Sequence, residues 1–209
     1  MTTSHTEAHP TQPRRNPRQA RSIERVNAIL GTAAELISEK GIDNTTMSAI
    51  ARASNMSLAS LYRYFPNKSA IIHAIAERHV EQLDQLLREH LPVLDFESGL
   101  DHLIDLYARF YRHEPGYKEI WSGVEGMPEL RALDQRELFM NARELHEASQ
   151  QLLPDLDEKR RWLVSMLLPR TCGSILRLAT TLPEDQASSL VEELKVLVRT
   201  YLTSLSQKP

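Results

Sequence analysis

The chain has 209 residues, of which 41% are hydrophobic and 25% are charged, proportions typical of a globular protein with a core of ordinary size. No apolar run reaches the length of a membrane span, and the polar, proline-containing start of the chain does not resemble a signal peptide. A single cysteine, Cys172, excludes an internal disulfide framework and fits a reducing compartment, so we expect a cytoplasmic protein.

The formal net charge of −3 is distributed unevenly. Residues 1–68 contain nine Lys and Arg against five Asp and Glu, whereas residues 69–209 contain 16 against 23. A basic N-terminal third on an acidic remainder favours a polyanionic partner for that third. The alternative is a chance imbalance on solvated faces.

The N-terminal segment is predicted to be an arm followed by a helix. Residues 1–19 lack hydrophobic periodicity and are predicted to be a disordered basic arm, which either contacts DNA or is a solvated tail. From about Ser22, apolar residues at 3-4 spacing predict a helix. Gly41 is expected to end it in a left-handed conformation, which glycine adopts without strain.

Residues 46–64 have the plan of a helix-turn-helix: a short helix capped at Thr45-Thr46, a turn at Asn55, and a second short helix capped by Ser57. Asn67 can cap the long helix that follows. Asn tolerates the left-handed backbone that such a turn needs. Small and apolar residues are expected where the two helices pack together. These are Ala49, Ile50, Ala53, Met56, Ala59, Leu61 and Phe65.

The second helix of this motif has an outward face suited to the major groove of DNA. At 100° per residue, Leu58 falls on the core side, whereas Ala59, Ser60 and Arg63 fall on the opposite side with Tyr64 at the edge. Arg63 can bind guanine through two hydrogen bonds, and Ser60 can bond either kind of base edge. Such bihelical patterns also arise by chance in helical proteins, so a helical adaptor that does not bind DNA is the alternative.

The segment TTMSAIARASNMSLASLYRYFPNKSAII, residues 45–72, resembles the DNA-binding signature of the tetracycline-repressor (TetR) family. Its most specific part is LYRYFPNK, residues 61–68. The resemblance implies a three-helix DNA-binding domain over residues 20–68. It also implies a helical effector-binding and dimerisation domain over residues 69–209, which begins with a connecting helix at residues 69–90.

The resemblance further implies nine DNA-contacting residues. Thr46, Ser48 and Lys68 would meet phosphates, Leu58, Ala59, Ser60 and Arg63 would face bases, and Tyr62 and Tyr64 would contact backbone or base edges. For Leu58 the resemblance and the helical wheel disagree, and for Tyr62 the alternative is packing against the first helix. At Asn55 the family usually has glycine. The family's commonest mode is repression by a homodimer that a small molecule releases from a palindromic operator.

The remainder of the chain is predicted to be helical, because no segment shows sustained period-2 alternation. The expected helices cover about residues 67–90, 100–115, 117–122, 128–153, 156–180 and 184–206. Pro169 either kinks the helix over 156–180 or splits it in two. The last two helices, at about 156–206, are expected to form the homodimer interface, although ordinary intramolecular core accounts for part of their apolar surface.

An effector pocket is implied by the resemblance alone, and ordinary core packing is the alternative for each candidate lining residue. The candidates are aromatic, Met and His side chains that suit an apolar or aromatic ligand. They are Tyr107, Phe110, Tyr111, Trp121, Phe139, Met140, His146, Trp162 and Met166. Arg143 and Arg170 either meet an anionic group of the ligand or lie at the surface.

Enzymatic motifs are absent from the sequence. There is no glycine-rich phosphate loop, no HExxH and no CxxC, and the eight histidines are scattered. We therefore expect no catalysis, no cofactor and no metal site.

Overall fold

The computed structural model describes residues 17–93 and 99–206, so most of the predicted arm, residues 1–16, lies outside the described residues. Within those two ranges the chain forms nine α-helices and no β-strand, which confirms the all-α prediction. The helices are α1 (Pro17–Asn44), α2 (Met47–Ala53), α3 (Leu58–Tyr62), α4 (Lys68–His90), α5 (Gly99–His113), α6 (Tyr117–Ser122), α7 (Pro128–Leu152), α8 (Glu158–Ala179) and α9 (Glu184–Ser206).

Helix α1 begins at Pro17, about five residues before the predicted start, and is kinked near its end at Gly41. Gly41 has φ 76° and ψ 166°. The expected positive φ is confirmed, but the left-handed helical conformation is wrong, because its ψ would be about 47°. A positive φ with ψ near 166° is a conformation that essentially glycine alone adopts.

Thr45 joins the end of α1 to the start of α2. Its side chain is buried, and its hydroxyl lies 2.9 Å from the carbonyl oxygen of Gly41 and 3.2 Å from that of Leu36. The next residue, Thr46, caps α2 by accepting a hydrogen bond from the Ala49 N–H. The two threonines therefore fix the position of α2 relative to α1.

Helices α1 to α3 share a buried core with the start of α4. Fully buried side chains include Ile37 of α1, Ile50 of α2, Leu61 of α3 and Ile71 of α4. Burial of one such side chain stabilises the fold by about 1.5–3 kcal/mol. This core sets the angle between the two short helices.

The small residue buried with this core on α2 is Ala51, which is 3% exposed. Of the three predicted alanines, Ala53 and Ala59 are exposed and Ala49 is half-buried. The prediction for Ala53 and Ala59 is wrong. Helix α2 turns Ile50 and the adjacent Ala51 inward, and this orientation brings Ala53 to the outer side.

Helix α4 connects the N-terminal helices to the rest of the molecule. Asn67 caps it by accepting a hydrogen bond from the Ala70 N–H at 2.8 Å, as predicted. The helix packs against α1 at one side and against α5, α6 and α7 at the other. A second junction lies at Gly116, where an added Cβ would come within 3.2 Å of the Ala34 carbonyl oxygen of α1.

Helices α7, α8 and α9 form most of the remaining body, with α7 against α8 and α9 against both α5 and α8. Leu130, Leu176 and Leu194 are buried at the contacts of these helices. Helix α8 runs continuously through Pro169, so the proline does not split it. No helix among the described residues has the length and apolar character needed to span a bilayer.

Candidate nucleic-acid interface

The turn between α2 and α3 is built around Asn55. Its φ is 52°, which confirms the left-handed backbone predicted there. Its N–H donates to the Arg52 carbonyl and the Met56 N–H donates to the Ala51 carbonyl, so the turn is closed by backbone hydrogen bonds. Asn replaces glycine at this position at little cost, because its short polar side chain tolerates the left-handed region.

Three side chains of α3 and its cap form a hydrogen-bonded series. Ser57 caps the helix by accepting from the Ser60 N–H at 3.1 Å, and the two serine hydroxyls lie 2.9 Å apart. The Arg63 Nη2 donates to the Ser60 hydroxyl oxygen at 3.1 Å. The guanidinium has five N–H donors, so this contact orients it and leaves donors for a ligand.

Large side chains on the outward face of α3 are exposed to solvent. Leu58 is 38% exposed, Tyr62 is 49% exposed and Tyr64 is 38% exposed. Ala59 and Arg63 are exposed too. The placement of Leu58 on the core side by the helical wheel is therefore wrong, whereas Tyr62 is half exposed and half covered.

The flanking residues predicted to meet phosphates have different surroundings. Thr46 and Ser48 are exposed at the start of α2. Lys68 is half-buried, and its ammonium donates to the Ile42 carbonyl at 2.7 Å. Lys68 therefore ties the start of α4 to the end of α1, a structural contact that the sequence did not indicate.

The body contains a partly open cavity with a volume of about 110 Å³ between α5, α7 and α8. Of the nine predicted effector-binding residues, Tyr107 and Tyr111 line it. The other seven lie outside its wall: Phe110, Trp121, Phe139, Met140, His146, Trp162 and Met166. Phe139 is 40% exposed, because α7 turns it away from α5 and α8.

Charged groups lie at one side of this cavity. Asp134 accepts from Arg170 at 2.7 Å and from Arg177 at 3.1 Å. Glu137 and Asn141 also line the cavity and are buried, with exposed fractions of 8% and 7%. Burial, with a smaller contribution from Asp134, raises the pKa of Glu137 to about 7.

Sequence reasoning missed Glu137 and Asn141. The available signal was their spacing: they continue the apolar stripe of α7 that contains Leu130 and Leu133, at positions where another apolar side chain is expected. Arg170, a candidate for pairing with an anionic group, lines the cavity and pairs with Asp134. Arg143 is exposed and is not part of the cavity wall.

Aromatic and histidine side chains form a cluster between α4, α5 and α6. His79 is fully buried there, and its Nδ1 accepts from the Trp121 indole N–H at 3.3 Å. The Tyr117 ring lies 4.3 Å from that of Tyr111 and 5.4 Å from that of His79. Tyr111 therefore belongs both to this cluster and to the cavity wall.

Comparison with known families matches both parts of the chain. Residues 29–75 match the model of bacterial regulatory proteins of the tetR family. Residues 94–205, more than half of the chain, match the model of a tetracyclin repressor-like C-terminal domain. The chain belongs to the TetR family of transcriptional regulators, in agreement with the prediction that it is not an enzyme.

Individual relatives are similar over part of the chain. An uncharacterised HTH-type transcriptional regulator of Bacillus subtilis, YvdT, is 41% identical over 37% of this chain and 40% of its own length. The biofilm operon icaADBC HTH-type negative transcriptional regulator IcaR of Staphylococcus epidermidis is 31% identical over 48% of this chain and 54% of its own. The matched segments thus span about half the length of these curated relatives.

Solved structures share the fold over most of the chain. A TetR-family regulator from Pectobacterium atrosepticum has a TM-score of 0.69 at 18% identity and covers 91% of this chain and 98% of its own. A TetR-family regulator from Streptomyces coelicolor has a TM-score of 0.63 at 24% identity and covers 87% of this chain and 99% of its own. These similarities show the arrangement of helices.

Proposed function

We propose that this protein is a sequence-specific DNA-binding regulator that reads an operator through α3. The observation that carries the proposal is the outward face of α3, where Arg63 is exposed and oriented by Ser60. Arg paired with guanine is the commonest specific contact in the major groove, and each such pair contributes about 1–3 kcal/mol of discrimination. On this proposal Ala59, Ser60 and Arg63 read bases.

The remaining predicted contacts are part of the same proposal. Leu58 and Tyr62 of α3, and Tyr64 just after it, are exposed, as Arg63 is. Thr46 and Ser48 lie beside a helix N-terminus, where N–H groups attract phosphates. Lys68 reaches a phosphate through ammonium protons that the Ile42 carbonyl does not use. The DNA-binding domain then spans residues 20–68.

We propose that the active form is a homodimer formed through α8 and α9. Five large apolar side chains on these two helices are exposed in the isolated chain, and a second copy would cover them. They are Leu163, Leu167, Leu178, Val196 and Leu197. A two-fold dimer presents two copies of α3 to a palindromic operator, whose half-sites lie about 34–36 Å apart.

Repression and release by a small-molecule effector complete the proposal. The IcaR relative is named a negative regulator, and the body over residues 69–209 contains the α5/α7/α8 cavity in which an effector would bind. A cytoplasmic location follows from binding to genomic DNA. A ligand would weaken DNA binding by favouring a dimer whose two α3 helices are misaligned with the half-sites.

The test is selection of bound sequences from random duplex DNA by the purified full-length protein. We expect an inverted repeat to be enriched and to bind about 10³–10⁷ times more tightly than unrelated DNA. Binding that never exceeds the non-specific level would instead favour the helical adaptor.

A further inference from the structure

The α5/α7/α8 cavity has an apolar part and a polar part. Apolar and aromatic side chains form most of the wall, including Leu103, Tyr107, Tyr111, Leu138 and Leu145. A dry apolar cavity of about 150 Å³ holds a benzene molecule, so the cavity volume here of about 110 Å³ suits one ring or a short branched chain.

The arginines of the polar part already have a partner. Arg170 and Arg177 both pair with Asp134, at 2.7 and 3.1 Å. Glu137 has no ion-pair partner within 4.0 Å among the described residues. A carboxyl group that is 8% exposed is costly to ionise, and Arg177 and Arg170, which both pair with Asp134, offset only part of that cost. A cation bound beside Glu137 would lower it further.

Arg170 and Arg177 keep N–H donors beyond those that Asp134 accepts, but among the described residues the fully buried side-chain atom of the cavity wall that lacks a partner is an acceptor. Asn141 donates through its side chain to Glu137, and its Oδ1 is buried without a hydrogen-bond partner. A buried acceptor without a donor destabilises the protein, and a ligand that donates an N–H removes that penalty. An anionic ligand would instead place a further acceptor against Asn141 Oδ1 and Glu137.

We propose that this cavity binds a small apolar molecule carrying an ammonium group, which pairs with the Glu137 carboxylate and donates a hydrogen bond to Asn141 Oδ1. An ammonium has three N–H donors, enough for both contacts. Tyr107 and Tyr111 lie in the same wall, and an aromatic ring attracts a cation that approaches its face. This inference rests on the proposed function, because it names the chemical class of the effector.

The ionisation of Glu137 makes the binding dependent on pH. Ligand affinity should rise about tenfold between about pH 6 and pH 8, as the carboxyl of Glu137, with a pKa of about 7, ionises. The charged and titratable groups that face it are Asp134 on α7, Arg170 and Arg177 on α8, Tyr107 and Tyr111 on α5 and Tyr117 on α6. Burial raises the pKa of all three tyrosines, which therefore stay neutral over this range.

The experiment measures binding of three probes of similar shape to the full-length, DNA-free protein by calorimetry. The probes are benzylammonium, benzyl alcohol and benzoate, which differ in charge. Each is measured with the wild type, with Glu137→Gln and with the matched control Glu147→Gln, which alters an exposed residue of the same helix. Thermal melting confirms that each variant is folded.

We expect benzylammonium to bind at least about tenfold more tightly than the other two probes. Glu137→Gln should remove that preference and the pH dependence, and Glu147→Gln should keep both. The proposal is overturned if benzoate binds best, if benzyl alcohol binds equally well and Glu137→Gln changes nothing, or if no probe binds. Operator binding by the ligand-free protein is measured separately, so a failure of this inference is distinct from a failure of DNA recognition.

Discussion

At the scale of single residues, Ser60 has two roles in α3. Its N–H completes the cap made by Ser57, and its hydroxyl oxygen accepts from Arg63. A guanidinium held by the helix from which it projects loses less side-chain entropy on binding than a free one, since ordering a long side chain costs about 1–2 kcal/mol. The series Ser57–Ser60–Arg63 therefore orders the proposed base-reading group before DNA binds.

We expect any replacement of Gly41 to destabilise the protein because of the backbone conformation at this position alone. Gly41→Ala should lower the free energy of unfolding by about 1–3 kcal/mol, because φ 76° with ψ 166° strains any side-chain-bearing residue, although an added Cβ would meet no atom within 4 Å. The measurement is urea denaturation.

Gly31→Ala is the matched control. Gly31 also lies in α1 with nothing within 4 Å of an added Cβ, but its φ is not positive. This substitution should stabilise the protein by about 0.5–1 kcal/mol. Equal effects of the two substitutions would refute the conformational argument.

His79 should make the protein sensitive to acid. Burial, and to a smaller extent the nearby Arg78, lowers the pKa of His79 from 6.5 to about 4. Below pH 6.5, His79 is therefore protonated in the unfolded chain but stays neutral in the folded chain. The free energy of unfolding falls by up to about 3 kcal/mol as the pH drops to 4. Urea denaturation across this range measures the loss.

His79→Gln keeps an acceptor for the Trp121 indole but does not titrate. This variant should lose less stability than the wild type over the same pH range. The nearest carboxylate, Glu114, is 3.9 Å from His79 and is present in both proteins. Parallel pH profiles for the two proteins would show that His79 is not the responsible group.

The sequence predicted those features that depend on a residue's own backbone conformation or on hydrogen bonds to residues a few positions away. The caps Thr46, Ser57 and Asn67 and the left-handed Asn55 were predicted from residue type and are found in the structure. Cavity residues such as Glu137 could not be identified in this way, because their setting depends on how α5, α7 and α8 approach one another.

At the scale of helices, the error at Leu58 has a simple origin. A helical wheel assumes that every residue of a helix faces the same neighbours, but α3 has five residues and its first turn extends beyond the core. Leu61 is buried against α1 and α2, whereas Leu58 is 38% exposed. Periodicity therefore predicts the orientation of a short helix better at its middle than at its ends.

The dimer interface can be tested on α8. Leu167→Asp places a charge in the proposed apolar interface, where an unpaired charge is costly to desolvate. Leu167 is 49% exposed in the isolated chain, so the fold itself should tolerate the change. We expect sedimentation at micromolar concentration to show a dimer for the wild type and a monomer for the variant.

Ile23→Asp is the control for that experiment. Ile23 is 48% exposed, much like Leu167, but lies on α1 outside the proposed interface. It should leave the dimer intact. A wild-type monomer, or a Leu167→Asp dimer as stable as the wild type, would contradict the assignment of α8.

At the scale of the whole molecule, the cavity and the DNA-reading helices are joined through packed side chains. Tyr111 lines the cavity and stacks on Tyr117 of α6, and Gly116 at the start of α6 lies against the backbone of Ala34 in α1. Helix α4 makes a second connection. A ligand that displaces Tyr111 therefore acts on a helix in direct contact with α1.

The basic arm should contribute to DNA affinity without adding sequence specificity. Deleting residues 1–16 removes Arg14 and Arg15, and should reduce the magnitude of the salt slope of binding by about 0.9 for each phosphate that the arm neutralises. Fluorescence anisotropy at several salt concentrations measures the slope. An unchanged slope would show that the arm is a solvated tail.

The central claim, that α3 reads DNA through Arg63, is tested most directly by the ratio of operator affinity to non-specific affinity. Arg63→Ala should reduce this ratio, by an amount that corresponds to about 1–3 kcal/mol of binding free energy per half-site, while leaving the fold and the dimer unchanged. Arg131→Ala, which removes an exposed arginine of α7, should leave the ratio as in the wild type. A ratio that is equal for the wild type and Arg63→Ala would contradict the claim.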